Sequence, residues 1–233
     1  MRRSRISAGD GPRTGLSTER VRAAALRILD TEGSEALSMR RLAQALDREA
    51  MTLYRYAPNK AALLDGVVEL VLSDLSVDPA AADWCQELGE LAEKYQELVL
   101  GHPHVLPLLV TLPRATPLGM RPIGTVRLLE DFIELLTRAG FTHSDALHAY
   151  RLFFGFLHGH ALGQLQEAVQ NADEAADQLR LALHQLPREK FPHLHALANQ
   201  LSAYDGAAEL HEGLEMVITG LRSFLSGRRP ATR

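Results

Sequence analysis

The sequence predicts an all-α protein, and three of its features lead to that fold class. Leucine and alanine dominate the apolar residues, which make up 46% of the chain. Stretches in which valine, isoleucine or threonine alternate with polar residues, the pattern of a half-buried strand, are few. Prolines and glycines divide the chain into segments whose apolar residues recur at the three- and four-residue spacing of an amphipathic helix. The 23% of charged residues is ordinary for a globular protein.

Charge is divided unevenly along the chain. Residues 1–60 hold 12 lysines and arginines against 7 acidic residues, a formal charge of +5, whereas residues 61–233 carry −9. A basic first quarter on an acidic remainder is typical of a nucleic-acid-binding head on a body with another role. The single cysteine, Cys85, excludes an internal disulfide, and we expect it to be packed rather than redox-active. The N-terminal arginines lack the apolar run of a secretory signal, so we expect a cytoplasmic protein.

The chain begins with a short basic segment. Residues 1–16 contain four arginines among glycine and proline, so we expect a flexible arm. Two interpretations stay open: an arm that adds salt-dependent contacts to DNA phosphates, and a terminus without a role. The first helix follows, with Thr18 as its cap, and runs to about Glu32 before Gly33 ends it. Its expected buried stripe is Val21, Ala25, Ile28 and Leu29.

The next two helices are short, and a tight turn separates them. Ser38 can cap the first, because its hydroxyl group can accept a hydrogen bond from a free backbone N–H one turn on. Asp47 and Arg48 fill the turn, and aspartate tolerates left-handed backbone angles better than most residues. The second helix is predicted at residues 49–56, and Pro58 ends it. The side chains expected to face inward are Leu42, Ala43, Leu46 and Leu53.

A helix, a short turn and a second helix form the geometry of a helix-turn-helix reader, whose second helix fits the major groove of DNA. If Leu53 faces inward, the other side of its helix faces solvent and can meet phosphates and bases. Arg40, one turn into the preceding helix, can reach a guanine edge, which is the commonest specific contact. The alternative is a helical hairpin with ordinary surface polarity, because such patterns have many false matches.

The residues around this hairpin resemble a known family. The series TLYRYAPNKAALLDGV, with SMRRLAQAL before it and VRAAALRILDTEG before that, is similar to the DNA-binding domain of the TetR family of one-component bacterial regulators. The resemblance covers residues 17–72 and implies an N-terminal three-helix helix-turn-helix domain. The family usually has glycine where this chain has Asp47. Ala50 and Met51 replace more polar residues of some members, so the resemblance does not give the operator sequence.

The resemblance also implies which residues contact double-stranded operator DNA. Four residues are expected to lie against bases, namely Arg40, Ala50, Met51 and Tyr54. Five residues are expected to hold or approach the phosphate backbone, namely Ser38, Arg41, Thr52, Tyr56 and Lys60.

The remainder of the chain is predicted to be helical. We expect the DNA-binding domain at residues 17–72, a ligand-binding and dimerisation domain at 73–226, and a basic tail at 227–233. A fourth helix begins at Lys60, and Pro79 marks the end of the connection after it. Further helices are predicted at 84–100, 123–139, 143–169, 172–185 and 206–225, with a turn or helix at 105–110, a loop at 111–122 and a connection at 187–192. On the 123–139 helix the expected inward residues are Val126, Leu129, Ile133 and Leu136.

Two of these helices carry glycines at regular spacing. In the 143–169 helix they fall four residues apart, at Gly155, Gly159 and Gly163. In the last helix they fall seven residues apart, at Gly206, Gly213 and Gly220. Two smooth apolar helices predict the four-helix seam of a homodimer, and the resemblance agrees; the alternative is packing within one chain. Arg151 and three histidines interrupt the apolar run of the 143–169 helix, so we expect no membrane span.

Ten histidines raise the question of a metal site. His158 and His160 lie two residues apart on a predicted helix and so point in different directions. The pairs at residues 102/104 and 193/195 lack the neighbouring cysteine or carboxylate spacing that completes a zinc site. No phosphate-binding loop, nucleophile elbow or metalloprotease motif is present. We therefore expect no metal, no cofactor and no catalytic residue.

Aromatic and polar residues on otherwise apolar helices are candidates for a small-molecule pocket. The resemblance implies that the C-terminal helices enclose an effector site, and such pockets are mostly apolar with a few placed polar groups. The alternative for each residue is an ordinary place in the core. The candidates are Trp84, Tyr95, His102, Arg127, Phe132, Tyr150, Phe153, Phe154 and His158.

Two functional hypotheses follow. The first is a homodimeric transcriptional repressor that a small-molecule effector releases from its operator DNA, and neither catalysis nor a membrane has a part in it. The second is an all-helical small-molecule binding or metabolic protein whose hairpin is only structural. The charge division and the TLYRY series favour the first hypothesis. Activation instead of repression stays open.

Overall fold

The computed structural model describes residues 15–111, 123–169 and 172–228. Most of the arm predicted at residues 1–16, of the loop predicted at 111–122 and of the tail predicted at 227–233 lies outside these ranges. The predicted all-α fold is confirmed, since none of the three ranges contains a strand. The helices are α1 (Thr18–Glu32), α2 (Met39–Leu46), α3 (Ala50–Leu53), α4 (Lys60–Leu72), α5 (Trp84–Gly101), α6 (Leu106–Thr111), α7 (Ile123–Arg138), α8 (His143–Val169), α9 (Ala172–Gln185), α10 (Pro192–Ala196), α11 (Ala198–Ser202) and α12 (Gly206–Arg228).

The chain divides into two compact units, Met1–Leu70 and Val71–Arg233. The division falls within α4, so that helix contributes residues to both units. The domain boundaries expected after residues 16, 72 and 226 stay predictions. Among the described residues, no helix is long and apolar enough to cross a lipid bilayer.

In the first unit, the residue that caps α1 is Ser17, so the prediction of Thr18 as the cap was wrong. The backbone of Ser17 is still extended (φ −119°, ψ 160°), and its hydroxyl oxygen accepts a hydrogen bond of 3.1 Å from the Arg20 N–H. Thr18 is the first helical residue. Gly33 ends the helix at a φ of 81°, where L-residues are strained. The predicted stripe is buried together with Ala24 and packs against α2.

The second unit is built around α8, which packs against α5, α7 and α12. Because it is covered on three sides, its inward face is almost entirely apolar and aromatic. The fully or nearly fully buried residues of these four helices include Leu88, Leu91, Tyr95, Val99, Phe132, Leu135, Leu136, Phe153, Leu157, Leu210 and Leu214.

The inward face of α7 differs from the predicted one. Leu136 is buried as expected, but Val126, Leu129 and Ile133 are only partly buried. The residues that pack inward beside Leu136 are Leu128, Phe132 and Leu135. Apolar residues lie on both sides of this helix, so helical periodicity alone fitted two faces. The ring of Phe132 packs into the aromatic cluster on α8, so the face of α7 that carries Phe132 is the buried one.

The connection predicted at residues 187–192 is non-helical up to residue 191, and two short helices that the sequence did not predict follow it. α10 begins at Pro192, where proline's fixed φ is favourable and its missing N–H has no helical partner to lose. α11 follows after one residue and packs against α9. Helices of five residues are too short to show a periodic apolar pattern, which is why the sequence did not reveal them.

The glycines of α12 do not form one uniform surface. A Cβ on Gly213 would lie 2.5 Å from the ring of Phe156, and one on Gly206 would lie 2.5 Å from the side-chain amide of Gln164. Both glycines thus let α12 approach α8 of the same chain. A Cβ on Gly220 would meet nothing within 4 Å. The expectation of one smooth glycine face for a partner chain is therefore wrong for two of the three positions.

Candidate nucleic-acid interface and ligand site

The turn between α2 and α3 has the backbone that the sequence predicted. The Ser38 hydroxyl oxygen accepts a hydrogen bond of 3.1 Å from the Arg41 N–H and caps α2. Asp47 adopts the left-handed conformation, with φ 52° and ψ 54°. The Arg48 N–H then donates to the Ala43 carbonyl oxygen at 3.0 Å, which closes the end of α2. Three residues separate the two helices, so α3 leaves the turn in a new direction.

α3 is shorter than the helix predicted at residues 49–56. It covers Ala50–Leu53, and a turn follows in which the Tyr56 N–H donates to the Leu53 carbonyl oxygen at 2.9 Å. Leu53 and Ala57 are buried on either side of this turn. Both residues are buried, and Pro58 disfavours the helical conformation at the residue before it, so the helix does not continue through this turn. The predicted end of α3 was therefore wrong by three residues.

Three of the four residues expected to meet bases are exposed to solvent. Met51 is 77% exposed and Tyr54 is 45% exposed, whereas Leu53 between them is fully buried. Arg40 on α2 is exposed, and no hydrogen bond or ion pair holds it among the described residues. Ala50 is partly exposed. Exposed apolar, aromatic and guanidinium side chains are suited to a groove that offers methyl groups and base edges.

Three of the residues expected to hold DNA phosphates make contacts within the chain. The Tyr56 hydroxyl group donates to the Leu16 carbonyl oxygen at 2.8 Å, and the Lys60 ammonium group donates to the Ser34 carbonyl oxygen at 3.0 Å. The guanidinium group of Arg41 forms a two-point ion pair with the carboxylate of Glu32. The hydrogen bond from Arg41 lowers the pKa of Glu32. These intramolecular partners were not predicted from the sequence.

In the second unit, six of the nine predicted pocket residues form one cluster, here called the ring cluster. The ring centroids of Tyr150 and Phe154 are 4.7 Å apart, and those of Phe132 and Tyr150 are 5.3 Å apart. Tyr95 on α5 reaches the cluster at 6.1 Å from Phe154 and 5.6 Å from His158. The members of the ring cluster are Tyr95, Phe132, Tyr150, Phe153, Phe154 and His158.

The other three predicted pocket residues lie elsewhere. Trp84 packs edge-on against Phe141, with the ring centroids 5.5 Å apart. Arg127 is on the surface of α7, where its side chain is 75% exposed and pairs with Asp131. His102 follows the last turn of α5. The structure does not bring these three side chains into the ring cluster.

The ring cluster contains two polar groups that sequence reasoning could not evaluate. The hydroxyl oxygen of Tyr95 is buried and has no hydrogen-bond partner among the described residues. Burial raises the pKa of the Tyr95 phenol, so it keeps its proton under ordinary conditions. Burial also lowers the pKa of His158, so its imidazole is neutral at pH 7. The cluster is therefore a largely apolar site with uncharged hydrogen-bonding groups.

The described residues offer little to a metal ion. No group of three or more histidine, cysteine, aspartate or glutamate side chains comes together within the described ranges. Cys85 is buried, as expected, and the Arg222 guanidinium group donates to its sulfur atom at 2.9 Å. Burial is the largest influence on this thiol and raises its pKa.

Comparison with known proteins places both units in one family. Residues 21–67 match the family model of bacterial regulatory proteins of the tetR family, and residues 78–225 match that of the tetracyclin repressor-like C-terminal domain. The chain is 30% identical over 210 residues to the tetracycline repressor protein class D of Escherichia coli, which covers 88% of each protein.

Two Streptomyces proteins are similar over most of their length. The HTH-type transcriptional repressor DrrR1 of Streptomyces coeruleorubidus is 29% identical over 228 residues, which is 94% of this chain and 82% of the relative. The structure of the Streptomyces coelicolor TetR family protein ActR in complex with actinorhodin superimposes with a TM-score of 0.81 at 32% identity, over 94% of this chain and 100% of ActR. The first unit thus has the helix-turn-helix, and the second unit the helical body, of the same class of regulators. This chain belongs to the TetR family of bacterial regulatory proteins.

Proposed function

We propose that this protein is a homodimeric transcriptional repressor that binds operator DNA through α2 and α3 and leaves it when a small molecule enters the second unit. The observation that carries the proposal is the exposed surface of Arg40, Met51 and Tyr54 on a helix-turn-helix within the basic quarter of the chain. The relatives named as repressors and the ActR complex with actinorhodin support it. Its place of action is the bacterial cytoplasm, where operator DNA lies.

The base-contacting role rests on side-chain chemistry at the exposed surface. Arg40 has no hydrogen-bond or ion-pair partner among the described residues, so its guanidinium group can donate two parallel hydrogen bonds to a guanine edge. Met51 and Ala50 present methyl groups that fit against thymine methyls in the major groove. The Tyr54 hydroxyl group can bond to a base edge or a neighbouring phosphate. These contacts decide which DNA sequence is bound.

The phosphate-binding role must be compatible with the contacts that these residues make inside the chain. Lys60 uses one of its three N–H donors on Ser34, which leaves two for a phosphate oxygen. Arg41 uses two of its five donors on Glu32 and keeps the others. Tyr56 already donates its hydroxyl hydrogen to Leu16, so its bond to DNA requires that this contact change. Ser38 and Thr52 complete the proposed set.

The proposed dimer would bury a surface that one chain leaves open. On α8, Leu152 is 52% exposed, and a Cβ on Gly155 or Gly159 would meet nothing within 4 Å. On α12, Met216 is 73% exposed and Phe224 is 45% exposed. Two helices from each of two chains can bury such a surface as a four-helix seam. A dimer would bind two half-sites about 34–36 Å apart, one turn of DNA.

Release by an effector requires different affinities of the effector for the DNA-bound and free states. α4 contributes residues to both units, so it is the covalent route by which a change in the second unit reaches the first. Repression is chosen over activation because the curated relatives are named repressors.

The test is a mobility shift with double-stranded DNA taken from beside the protein's own gene. The substitution removes one bidentate base contact of about 1–3 kcal/mol from each subunit, so we expect Arg40→Ala to weaken binding by the dimer roughly 30-fold or more. The exposed Arg188 of the second unit provides the control, since Arg188→Ala makes the same chemical change away from α2 and α3. Sedimentation should show that both variants stay dimeric.

Two results would refute the proposal. If wild-type protein does not bind this DNA at low salt, the alternative of a small-molecule binding protein with a structural hairpin would be favoured. Arg40→Ala that binds as tightly as Arg188→Ala would remove α2 from the interface.

A further inference from the structure

α4 is attached to α1 and its surroundings at two places. Near the start of α4, the Lys60 ammonium group donates a hydrogen bond of 3.0 Å to the carbonyl oxygen of Ser34, which follows the end of α1. Near the end of α4, the carboxylate of Glu69 pairs with the guanidinium group of Arg22, in the second turn of α1. The first contact lies beyond the C-terminal end of α1 and the second lies near its N-terminal end, so the two helices run in opposite directions.

The Arg22 side chain lies across the face of α4 that carries Gly66 and Glu69. These two residues are neighbours on one face, because side chains three positions apart on a helix lie side by side. A Cβ on Gly66 would lie 2.6 Å from the Arg22 Nε atom and 3.2 Å from its Cδ and Cζ atoms, closer than packed atoms come. Glycine at this position therefore lets the guanidinium group reach Glu69. Arg22, Gly66 and Glu69 are here called the clasp.

The clasp contributes more to the direction of α4 than to stability. The side chains of Arg22 and Glu69 are 32% and 21% exposed, and ion pairs that water reaches add little to the free energy of folding. α4 also buries Leu63 and Val67, but apolar contacts are non-directional and allow a helix to pivot. Lys60 and Glu69 are about 14 Å apart along α4, and two contacts at that separation fix the direction of a helix where one would not.

We propose that Arg22 and Glu69 are positioning residues that fix the helix-turn-helix on α4 and so set the half-site separation that the dimer accepts. The inference rests on the proposed function, because it concerns how the same operator-binding site is held. α1 packs against α2, and α2 packs against α3, so movement of α1 on α4 carries Met51 and Tyr54 with it. α4 continues into the second unit, where the proposed dimer forms, so slack between α1 and α4 becomes slack between the two half-site contacts.

The first test changes the half-site spacing of the operator that footprinting locates beside the protein's own gene. One inserted base pair moves a half-site by about 3.4 Å and turns it by about 35° around the DNA axis. Fixed helices follow this change poorly, so we expect wild-type protein to lose about tenfold in affinity or more, the effect of a lost base contact. Glu69→Gln should bind the original operator a few-fold more weakly but lose no more than about threefold on insertion.

Gly66→Ala separates positioning from stability. The added Cβ displaces Arg22 from Glu69, yet alanine favours a helix more than glycine does. We therefore expect an unchanged or higher melting temperature together with the spacing tolerance of Glu69→Gln. The controls are Arg27→Gln, at an exposed arginine of α1, and Gly89→Ala in α5, where a Cβ meets nothing within 4 Å. Both controls should keep the wild-type response to the insertion.

The distance between the two helix-turn-helices of a dimer gives a second test that needs no DNA. A spin label is attached to Gln44→Cys, at an exposed position of α2, in a Cys85→Ser background, and the distribution of label-to-label distances is recorded. We expect Glu69→Gln and Gly66→Ala to broaden this distribution, because the helix-turn-helix can then pivot on α4. Arg27→Gln should leave it unchanged.

Three results would overturn the inference: wild-type protein that tolerates the insertion, Glu69→Gln that keeps the tenfold loss, or clasp variants whose distance distributions are as narrow as that of wild type. Failure of the proposed function looks different. Wild-type protein that binds no DNA refutes operator binding, and the spin-label distances then decide alone whether the clasp fixes α1 on α4. Wild-type protein that binds its operator while the clasp variants match it in both tests refutes only the positioning role.

Discussion

Asp47 holds the turn between α2 and α3 in a backbone conformation that most L-residues avoid. Left-handed angles destabilise an ordinary L-residue by about 1–2 kcal/mol, and aspartate by less, because its short polar side chain can bond locally. Glycine has no Cβ and adopts these angles freely. The absence of glycine from this position is therefore compatible with the turn that the sequence predicted.

Substitution at Asp47 tests how much of the turn depends on this backbone. We expect Asp47→Ala to be less stable than Asp47→Gly by about 1 kcal/mol, because alanine has a Cβ but no polar group to offset the strain. Urea denaturation of the two variants measures the difference. Equal free energies of unfolding would mean that the turn relaxes to other angles.

Under the proposed function, Glu32 and a DNA phosphate compete for the Arg41 guanidinium group, so the ion pair predicts how stability changes with pH and how operator affinity changes on substitution. Its pKa is lowered in the folded protein from the ordinary value of 4.5, so the ion pair stabilises the fold above that value and is lost as pH falls through the lowered pKa. Glu32→Gln should therefore be less stable than wild type at pH 7, and the difference should shrink as the pH falls below 4.5.

The same variant should bind operator more tightly at pH 7, by a few-fold, because the Arg41 guanidinium group no longer has a carboxylate partner. Mobility shifts of wild type and Glu32→Gln at one salt concentration measure this effect. Weaker binding would mean that the ion pair positions Arg41 and does not compete with DNA for it.

At the scale of single residues, the sequence predicted what local chemistry controls. The Ser38 cap and the left-handed Asp47 each depend on neighbours within a few positions, so a short stretch of sequence suffices. The partner of Tyr56 is 40 residues away and that of Lys60 is 26 residues away. Such contacts follow from tertiary packing, and one sequence does not show which distant carbonyl oxygen will be near.

At the scale of helices, the bounds of α8 and α9 agree with the sequence, because both have clear starts and long regular patterns. The inward face of α7 was not predictable, because apolar residues lie on both sides of this helix. The existence of α10 and α11 was not predictable, because helices this short show no periodic pattern. A seven-residue repeat drifts around an α-helix by about 20° per heptad, and packed helices cross at an angle. A row of glycines need not keep one neighbour along its length, as α12 shows.

Gly213 and Gly220 form a matched pair for testing the packing of α12. Alanine at Gly213 meets the Phe156 ring at 2.5 Å, so we expect the overpacking to exceed the gain in helix propensity and to lower stability by about 1 kcal/mol. Alanine at Gly220 meets nothing within the chain and should raise the stability of the monomer by up to about 1 kcal/mol. Thermal denaturation at low protein concentration compares them. A destabilised Gly220→Ala monomer would contradict this assignment.

At the scale of the whole molecule, the charge division and the family resemblance together led from the sequence to a two-unit regulator. The basic charge of residues 1–60 can act on DNA only where it is exposed. Arg40 on α2, Arg55 in the turn after α3 and Lys60 at the start of α4 are all exposed to solvent. The ring cluster was less predictable. Six of its candidates were found by residue type, but the unpaired hydroxyl group of Tyr95 required the packed structure.

The salt dependence of operator binding separates charged from neutral phosphate contacts. Each lysine or arginine that neutralises a phosphate adds about −0.9 to the slope of log affinity against log salt concentration. Lys60→Met removes one such contact from each subunit, so we expect the slope of the dimer to become shallower by about 2.

Tyr56→Phe removes a hydroxyl group and no charge, so it should lower the affinity and leave the slope unchanged. Mobility shifts between 50 and 200 mM potassium chloride, roughly the range over which such slopes are steep, measure both variants. Equal slopes for wild type and Lys60→Met would show that the ammonium group stays on the Ser34 carbonyl oxygen when DNA is bound. In that case Lys60 would hold the connection after α1 to the start of α4 and would not be part of the interface.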